Sequence, residues 1–261
     1  MKIPFYQVDA FTQQPFRGNP AAVCVFDSWP QDALLQSIAM ENNLSETAFL
    51  VKKGDTYDLR WFTPLVEMDL CGHATLASAY VIFNHIELTR TEVAFSTRSG
   101  VLTVKRKGEL LHMDFPSHPP QPCTCPADLQ LGLGKLPVET HCAGAYLAVY
   151  ETEADILALQ ANVEFLKKLD LPYVIVTAKG NSVDFVSRVF GPKVGIPEDP
   201  VTGAAHCILV PYWARQLNKN TFHARQVSKR GGELYCELQG DRVEIAGHAT
   251  LFLQGKIQLE D

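Results

Sequence analysis

The sequence lacks the excess of positive charge that marks a nucleic-acid-binding surface. Among its 261 residues, 20% are charged, and the formal net charge is -6. The short basic runs, such as residues 105 to 107, are far smaller than the basic patch that contacts a phosphate backbone. We therefore expect no nucleic acid as a partner.

Long hydrophobic runs are also missing. No stretch approaches the about 18 consecutive apolar residues of a membrane-spanning helix. The N-terminal stretch MKIPFYQVDAF does not have the long apolar core of a signal peptide. We expect a soluble, cytoplasmic protein with no membrane partner.

Motifs for common cofactors and for hydrolytic sites are absent from the sequence. There is no GxGxxG, P-loop, HExxH or GxSxG pattern. The seven cysteines are an odd number at irregular spacing, which favours reduced thiols over a disulfide framework. Cys123 and Cys125 form a C-x-C pattern without a second pair, so we predict neither a metal site nor a cofactor.

The sequence does contain an internal repeat in the order of its predicted helices and strands. Two glycine-led apolar segments, GHATLASAYVIF and TGAAHCILVPYWARQL, read as buried helices because they are apolar on nearly all sides. Each is followed by a hairpin-like stretch. Gly72 and Gly100 are 28 residues apart, as are Gly203 and Gly231, and the two pairs are offset by 131 residues, about half of the chain.

This repeat predicts an α+β protein with two pseudo-symmetric lobes, each a mostly antiparallel sheet wrapped around a central helix. A Pro-rich segment after residue 115 is the expected linker. We assign residues 1–115 to the N-terminal lobe and residues 116–261 to the C-terminal lobe, and leave open that the last residues return to the first lobe. The cleft between the lobes is the default ligand site.

The pentapeptide GHATL occurs twice, at residues 72–76 and 247–251. The register of the repeat places Gly247 opposite Pro116, at the end of the final hairpin, instead of opposite Gly72. We therefore expect His248 in a turn or strand. The helix starts expected at Gly72-His73 and Thr202-Gly203 would each present free N–H groups that suit a carboxylate or an enolate.

Five motifs carry a family resemblance. NLSETAF, LCGHATLAS, GIPEDPVTGAAH, AFTQQPFRGNPAAV and LRWFTP resemble those of the phenazine-biosynthesis PhzF-like family, in matching order. The resemblance covers most of the chain. It implies a two-lobed, diaminopimelate-epimerase-like fold, a homodimer, and cofactor-free isomerase chemistry on a small carboxylate between the lobes.

The resemblance also implies roles for individual residues. Glu46 would move a proton between carbons of the substrate as general acid and base, with Ser45, His73 and Asp199 as the other catalytic residues. Substrate binding is expected at Asn19, Gly72, Thr202 and Gly203. Ala204 stands where the phenazine enzyme tends to have a serine, so the resemblance does not fix the substrate.

Physical chemistry alone leaves alternatives open at these residues. Glu46 suits a proton shuttle if it is shielded from water, but it could instead be a surface or capping residue. His73 at a helix start is expected to be a neutral imidazole, because the positive end of the helix disfavours the imidazolium. Asp199 could be an acid of the helix cap region.

Two other functions stay open. One is a non-catalytic small-molecule or protein-binding member of the same fold. The other is an epimerase that uses Cys71 together with Glu46. Two-base epimerases place one base on each side of the substrate carbon, and the repeat counterpart of Cys71 is Thr202, which makes this alternative the weaker one.

Overall fold

Two units, each built around one buried helix, make up the computed structural model, which describes residues 1–259. Unit 1 consists of Met1–Asp114 together with the chain from Ala246 onward, and unit 2 of Phe115–Ile245. The first boundary lies one residue from the linker expected from the prolines. The segment after residue 245 belongs to unit 1, which is the alternative that the sequence left open.

Within residues 1–259, unit 1 contains two helices and a sheet that packs around one of them. The helices are α1 (Asp32–Asn42) and α2 (Gly72–Val81), and α2 continues into a π-helical turn, Ile82–Ile86. The strands are β1 (Lys2–Ala10), β2 (Asn19–Phe26), β3 (Glu46–Lys53), β4 (Thr56–Phe62), β5 (Glu67–Met68), β6 (Glu92–Thr97), β7 (Gly100–Lys107), β8 (Leu110–Pro116) and, in the returning segment, β18 (Ala249–Gln258).

Unit 2 contains four helices and the remaining strands. The helices are α3 (Ala127–Leu133), α4 (Glu153–Ala158), α5 (Val163–Leu166) and α6 (His206–Leu217), and Pro192–Val194 form a 3-10 turn. The strands are β9 (Gln121–Pro122), β10 (Glu139–Cys142), β11 (Tyr146–Val149), β12 (Val174–Lys179), β13 (Phe185–Gly191), β14 (Ile196–Asp199), β15 (Thr221–Gln226), β16 (Gly232–Gln239) and β17 (Arg242–Gly247).

Strand pairing repeats between the two units. In unit 1, β1 pairs antiparallel with β2, β2 parallel with β3, β3 antiparallel with β4, β4 parallel with β6, and β6 antiparallel with β7. In unit 2 the same order runs through β10, β11, β12, β13, β15 and β16. Each central helix connects equivalent strands, so the internal duplication is a duplication of topology.

The central helix of unit 1 is buried on almost every side. Helix α2 contacts β1, β2, β3, β7 and β18. Two buried hydroxyl side chains satisfy their hydrogen bonds locally: Thr75 Oγ1 donates to the Cys71 carbonyl at 2.6 Å and Ser78 Oγ to the Ala74 carbonyl at 2.7 Å. Small hydroxyl side chains therefore fit this buried helix without unpaired polar groups.

The central helix of unit 2 starts later than the sequence predicts. Helix α6 begins at His206, and residues 203 to 205 form a turn in which the His206 N–H donates to the Gly203 carbonyl at 2.9 Å. The predicted helix start at Thr202-Gly203 is therefore wrong. A Gly-Ala-Ala turn precedes the helix, and the Thr202 N–H points to a side chain instead, as described below.

A proline lies inside α6 without leaving a buried carbonyl unpaired. Pro211 has no N–H to donate to the carbonyl of Cys207, four residues earlier. The N–H of His118 donates to this carbonyl at 2.8 Å. The Pro-rich segment thus supplies the hydrogen-bond donor that the Cys207 carbonyl does not receive from Pro211.

The second GHATL has a structural role that differs from the first. His248 lies between β17 and β18, as the repeat register predicts, and its carbonyl accepts from the N–H of Phe11 at 2.7 Å. A Cβ at Gly247 would lie 2.4 Å from Cδ1 of Phe11. This glycine is needed for close packing against Phe11, whereas Gly72 begins a helix.

No helix within residues 1–259 combines the length and apolar character that crossing a membrane requires.

Gly18 fixes the entry into β2. Its φ is +65°, and a Cβ there would lie 2.1 Å from the carbonyl oxygen of Ala10. We expect Gly18→Ala to lower the free energy of unfolding by more than about 2 kcal/mol, because the left-handed backbone and the overlap both oppose a side chain. Gly54→Ala is the matched control. Gly54 has φ +58° with open space among the described residues, so its cost should be about 1 kcal/mol. If urea unfolding shows equal losses of unfolding free energy in Gly18→Ala and Gly54→Ala, this account is contradicted.

Candidate active site

The first residues of two neighbouring strands place polar side chains at one edge of the unit 1 sheet. Asn19 begins β2 and Glu46 begins β3. Because β2 and β3 run parallel, with Ala21 opposite Glu46, both side chains lie at the same edge. Helix α2 brings His73, its second residue, to this position.

His73 is the centre of this cluster. Its Nε2 lies 3.1 Å from Glu46 Oε2, and its Nδ1 lies 3.2 Å from Asn19 Nδ2 and 3.5 Å from Cys71 Sγ. Both ring nitrogens therefore have defined neighbours. Asn19 contacts the ring at Nδ1, and Nε2, on the other side of the ring, lies near the carboxylate of Glu46.

The cluster is almost closed to solvent. Glu46, Cys71 and His73 are each at most 7% exposed. The 3.1 Å approach of His73 to Glu46 is an ion-pair distance, but the two atoms are poorly aligned for a hydrogen bond. Within residues 1–259, neither Glu46 Oε2 nor His73 Nε2 has an aligned hydrogen-bond partner. A buried carboxylate oxygen without an aligned partner can accept a hydrogen bond from a bound molecule.

The protonation of His73 differs from the expectation. Burial by itself lowers the pKa of His73, but its negative neighbours outweigh burial and raise this pKa well above its ordinary value. The charge of Cys71 and then the charge of Glu46 cause the rise, and the contacts of the ring with both side chains add to it. The predicted neutral imidazole is therefore wrong: a carboxylate at 3.1 Å outweighs the weaker effect of the helix end.

Ser45 and Gly72 flank the cluster. Ser45 is half-buried beside Glu46, and its hydroxyl forms no hydrogen bond to any residue in the described part of the chain. Gly72 is the first residue of α2, next to His73. Both are neighbours of the cluster along the chain.

In unit 2, the residues expected around the second helix form a separate group. Thr202 Oγ1 donates a short hydrogen bond to Asp199 Oδ2. Asp199 ends β14, and the N-cap of α6 is Ala205. The alternative in which Asp199 serves as a helix cap is therefore wrong. Its carboxylate is held by Thr202, in the turn before the helix, and Gly203 follows in the same turn.

Gln226 completes this group, and sequence reasoning missed it. The side chain is fully buried at the end of β15. Its Oε1 accepts from the Thr202 N–H at 2.8 Å, and its Nε2 donates to the Asp199 carbonyl at 2.6 Å. No local motif marks Gln226. A buried amide at a strand end is its only signal, and burial is not visible in one sequence.

Gln226→Leu should loosen the turn at Asp199 and Thr202. The substitution leaves a backbone N–H and a carbonyl without their partner, which costs about 1–3 kcal/mol of unfolding free energy. We expect faster hydrogen exchange at the Thr202 amide, measured by mass spectrometry. Gln130→Leu, at an exposed glutamine of α3, is the control and should change neither quantity. Unchanged exchange in Gln226→Leu would rule out this role.

His206 is the most deeply buried histidine of unit 2. It is 0% exposed, its Nδ1 lies 3.0 Å from the Thr202 carbonyl, and its ring lies against Phe185. Burial lowers the pKa of His206 to about 4. The ring is therefore neutral near pH 7, and Nδ1–H donates to Thr202.

With this geometry established, similarity to known proteins identifies the family. A family model described as "Phenazine biosynthesis-like protein" matches residues 8–255. An uncharacterized isomerase of Pseudomonas aeruginosa is 49% identical over 259 residues, covering 99% of this chain and 100% of the relative. A human phenazine biosynthesis-like domain-containing protein is 40% identical, covering 98% of this chain and 99% of the relative.

A solved structure agrees with these sequence relatives. A crystal structure of a PhzF-family phenazine biosynthesis protein from Enterococcus faecalis superimposes with a TM-score of 0.97 at 48% identity, covering 99% of this chain and 100% of that one. The predicted resemblance and the mixed α and β fold are confirmed. The chain belongs to the phenazine biosynthesis-like family, and it is an enzyme of the isomerase type.

Proposed function

We propose that this protein is a cofactor-independent isomerase in which Glu46 moves a proton between two carbons of a small carboxylic acid. The observation that carries the proposal is the pair formed by Glu46 and His73. A carboxylate oxygen that is almost fully buried lies 3.1 Å from an imidazole nitrogen and lacks any aligned partner among residues 1–259. An oriented carboxylate of this kind is suited to general acid and base chemistry.

The proton balance of the reaction is simple. The Glu46 carboxylate removes a proton from an activated carbon, and the electron pair of the broken C–H bond moves into the unsaturated system of the substrate. The protonated Glu46, whose proton exchanges with water in a share of the turnovers, then protonates another carbon on the same face. No electron is gained or lost, so the reaction needs no oxidant or reductant.

His73 has the role of orienting Glu46 and balancing its charge. As an imidazolium 3.1 Å from the carboxylate, it places a positive charge beside Glu46. Asn19 holds the ring plane through Nδ1, at 3.2 Å. An imidazolium also carries a proton on Nδ1, and rotation of the Asn19 amide would present its oxygen to that proton.

A single base fits this site better than two. Cys71 is the other candidate base, but burial and the charge of Glu46 raise the pKa of its thiol, which disfavours the thiolate that would remove a proton. The equivalent strand of the repeat, β12, begins with Val174, where β3 begins with Glu46. The duplication has therefore not kept a second acid at that position.

The remaining predicted residues act in the proposal as substrate contacts. Ser45 holds the substrate and stabilises developing charge with His73, and the backbone N–H of Gly72 binds its oxygens. Thr202 orients the carboxylate of Asp199 through its hydroxyl. The preferred substrates are small cyclic or unsaturated carboxylic acids.

Deuterium uptake from D2O tests the proposal without knowledge of the substrate. The protein, treated with a chelator, is incubated with a panel of small unsaturated, amino and hydroxy acids, and incorporation is measured by mass spectrometry. We expect uptake into one chemical class, at an unchanged rate with the chelator. Saturable binding of a panel acid without any uptake would instead support the non-catalytic alternative.

A further inference from the structure

We propose that Glu46, Cys71 and His73 also form a binding site for a thiophilic divalent cation, with Zn²⁺ as the preferred ion. One ligand atom from each of the three residues lies within 4.8 Å of the other two. Cysteine sulfur, histidine nitrogen and carboxylate oxygen are the ligand types that Zn²⁺ takes in proteins. Sequence spacing hides this set, because Glu46 comes from a different element than Cys71 and His73.

Two pairs of ligand atoms, one at each nitrogen of the His73 ring, are separated by nearly the distances found on a tetrahedral ion. Zinc bonds of about 2.1 Å to nitrogen and about 2.3 Å to sulfur place these two ligand atoms roughly 3.5 Å apart. Cys71 Sγ and His73 Nδ1 are 3.5 Å apart. A nitrogen and a carboxylate oxygen on the same ion would be roughly 3.4 Å apart, and His73 Nε2 and Glu46 Oε2 are 3.1 Å apart. These two distances involve different nitrogens of the His73 ring, so an ion bound to one nitrogen collects all three ligands only after a change of side-chain rotamer at Cys71 or Glu46.

Charge and hydrogen bonding favour a cation at this position. A thiolate, a carboxylate and a neutral imidazole together balance the two positive charges of Zn²⁺, so the loaded cluster is neutral in its buried surroundings. The ion would also satisfy buried atoms that have no aligned partner in the described chain, namely Glu46 Oε2 and His73 Nε2. Mg²⁺ and Ca²⁺ prefer oxygen ligands alone, so the thiol and imidazole select against them.

Three protein ligands leave one position of a tetrahedral ion open. This position would take water or a carboxylate from solution. The expected effect of the ion on activity rests on the proposed function. A bound Zn²⁺ ion would occupy the Glu46 oxygen that receives the substrate proton, and it would therefore inhibit the enzyme. The binding site itself requires no catalytic activity.

Titration with Co²⁺ tests the site directly, because a cobalt–thiolate bond gives a charge-transfer absorption that oxygen and nitrogen ligands do not give. We expect this absorption in the wild-type protein, together with the visible spectrum of a tetrahedral ion. Added Zn²⁺ should displace the cobalt. Cys71→Ala should abolish the thiolate absorption and weaken Zn²⁺ binding at least tenfold.

Two controls separate this site from the other thiols. Cys24→Ala removes another buried thiol of unit 1, and a double Cys123→Ser, Cys142→Ser variant removes partly exposed thiols of unit 2. Both should keep the cobalt absorption. Absorption that survives in Cys71→Ala, or that disappears in the double variant, would overturn the proposal. If Cys71→Ala does not fold, Cys71→Ser provides the same comparison with nearly unchanged volume, and Glu46→Gln, which keeps the thiolate, should weaken Zn²⁺ binding.

A deuterium-exchange assay with and without Zn²⁺ distinguishes the two proposals. Inhibition by Zn²⁺ that a chelator reverses supports both. The cobalt spectrum with no exchange at any metal concentration retains the metal site and removes the isomerase mechanism. Deuterium exchange that depends on Glu46, without any cobalt–thiolate absorption, retains the isomerase mechanism and removes the metal site.

Discussion

Glu46→Gln is expected to lower the rate of deuterium exchange by about 10²–10⁴-fold, the usual contribution of a general acid–base group. The amide keeps the volume of the carboxylate but can neither accept nor return the substrate proton. The fold should persist, because Glu46 Oε2 has no aligned hydrogen bond to lose within residues 1–259. Circular dichroism and thermal unfolding check that the fold is kept.

Glu41→Gln provides the matched control for this substitution. Glu41 is an exposed carboxylate of α1, so its change should leave the rate as it is. Cys71→Ala, tested beside it, separates the proposal from an epimerase that uses the thiol. Full activity in Glu46→Gln, or a comparable loss in Cys71→Ala with normal folding, would overturn the assignment of Glu46 as the single base.

The second large effect concerns stability, and it comes from His206. Because burial lowers the pKa of His206 from 6.5 to about 4, the unfolded chain binds a proton between these pH values and the folded protein does not. The free energy of unfolding therefore falls as the pH drops from about 6.5 to about 4. At 1.36 kcal/mol for each pH unit, the loss approaches about 3 kcal/mol.

Urea unfolding at several pH values measures this dependence. His206→Asn keeps a donor that can replace Nδ1 and removes the titrating ring, so its stability curve should be flatter across this range. We also expect lower stability at pH 7, because the smaller side chain leaves a cavity. His118→Asn, at an exposed histidine, should retain the wild-type slope. A wild-type slope in His206→Asn would show that other groups cause the acid sensitivity.

Much of the fold could be predicted because it depends on patterns of nearby residues. The apolar helix after Gly72 and the equal glycine spacing revealed the duplication, which the pairing order of the two sheets then confirmed. The start of α6 was missed because TGAA reads as helix. Its backbone instead makes a turn that Gln226 holds through Thr202, and this long-range contact leaves no local signal.

The candidate site could be predicted only in part. The motifs of the family pointed to Glu46, His73 and Asn19, and the parallel pairing of β2 with β3 explains why Asn19 and Glu46 lie at the same edge of the sheet. The charge of His73 could not be predicted, because it depends on a carboxylate at 3.1 Å that is far away in the sequence. Local reasoning recognised the end of the helix and missed its neighbour across the fold.

The position of deuterium in the product tests the central claim most directly. The reaction of an active substrate in D2O is followed by NMR, which assigns the labelled carbon. If a single base moves a proton between carbons, we expect deuterium, or partly retained hydrogen, at the new carbon. This labelling should be lost in Glu46→Gln. Deuterium only at the original carbon, with inversion of its configuration, would contradict the mechanism and favour a two-base epimerase.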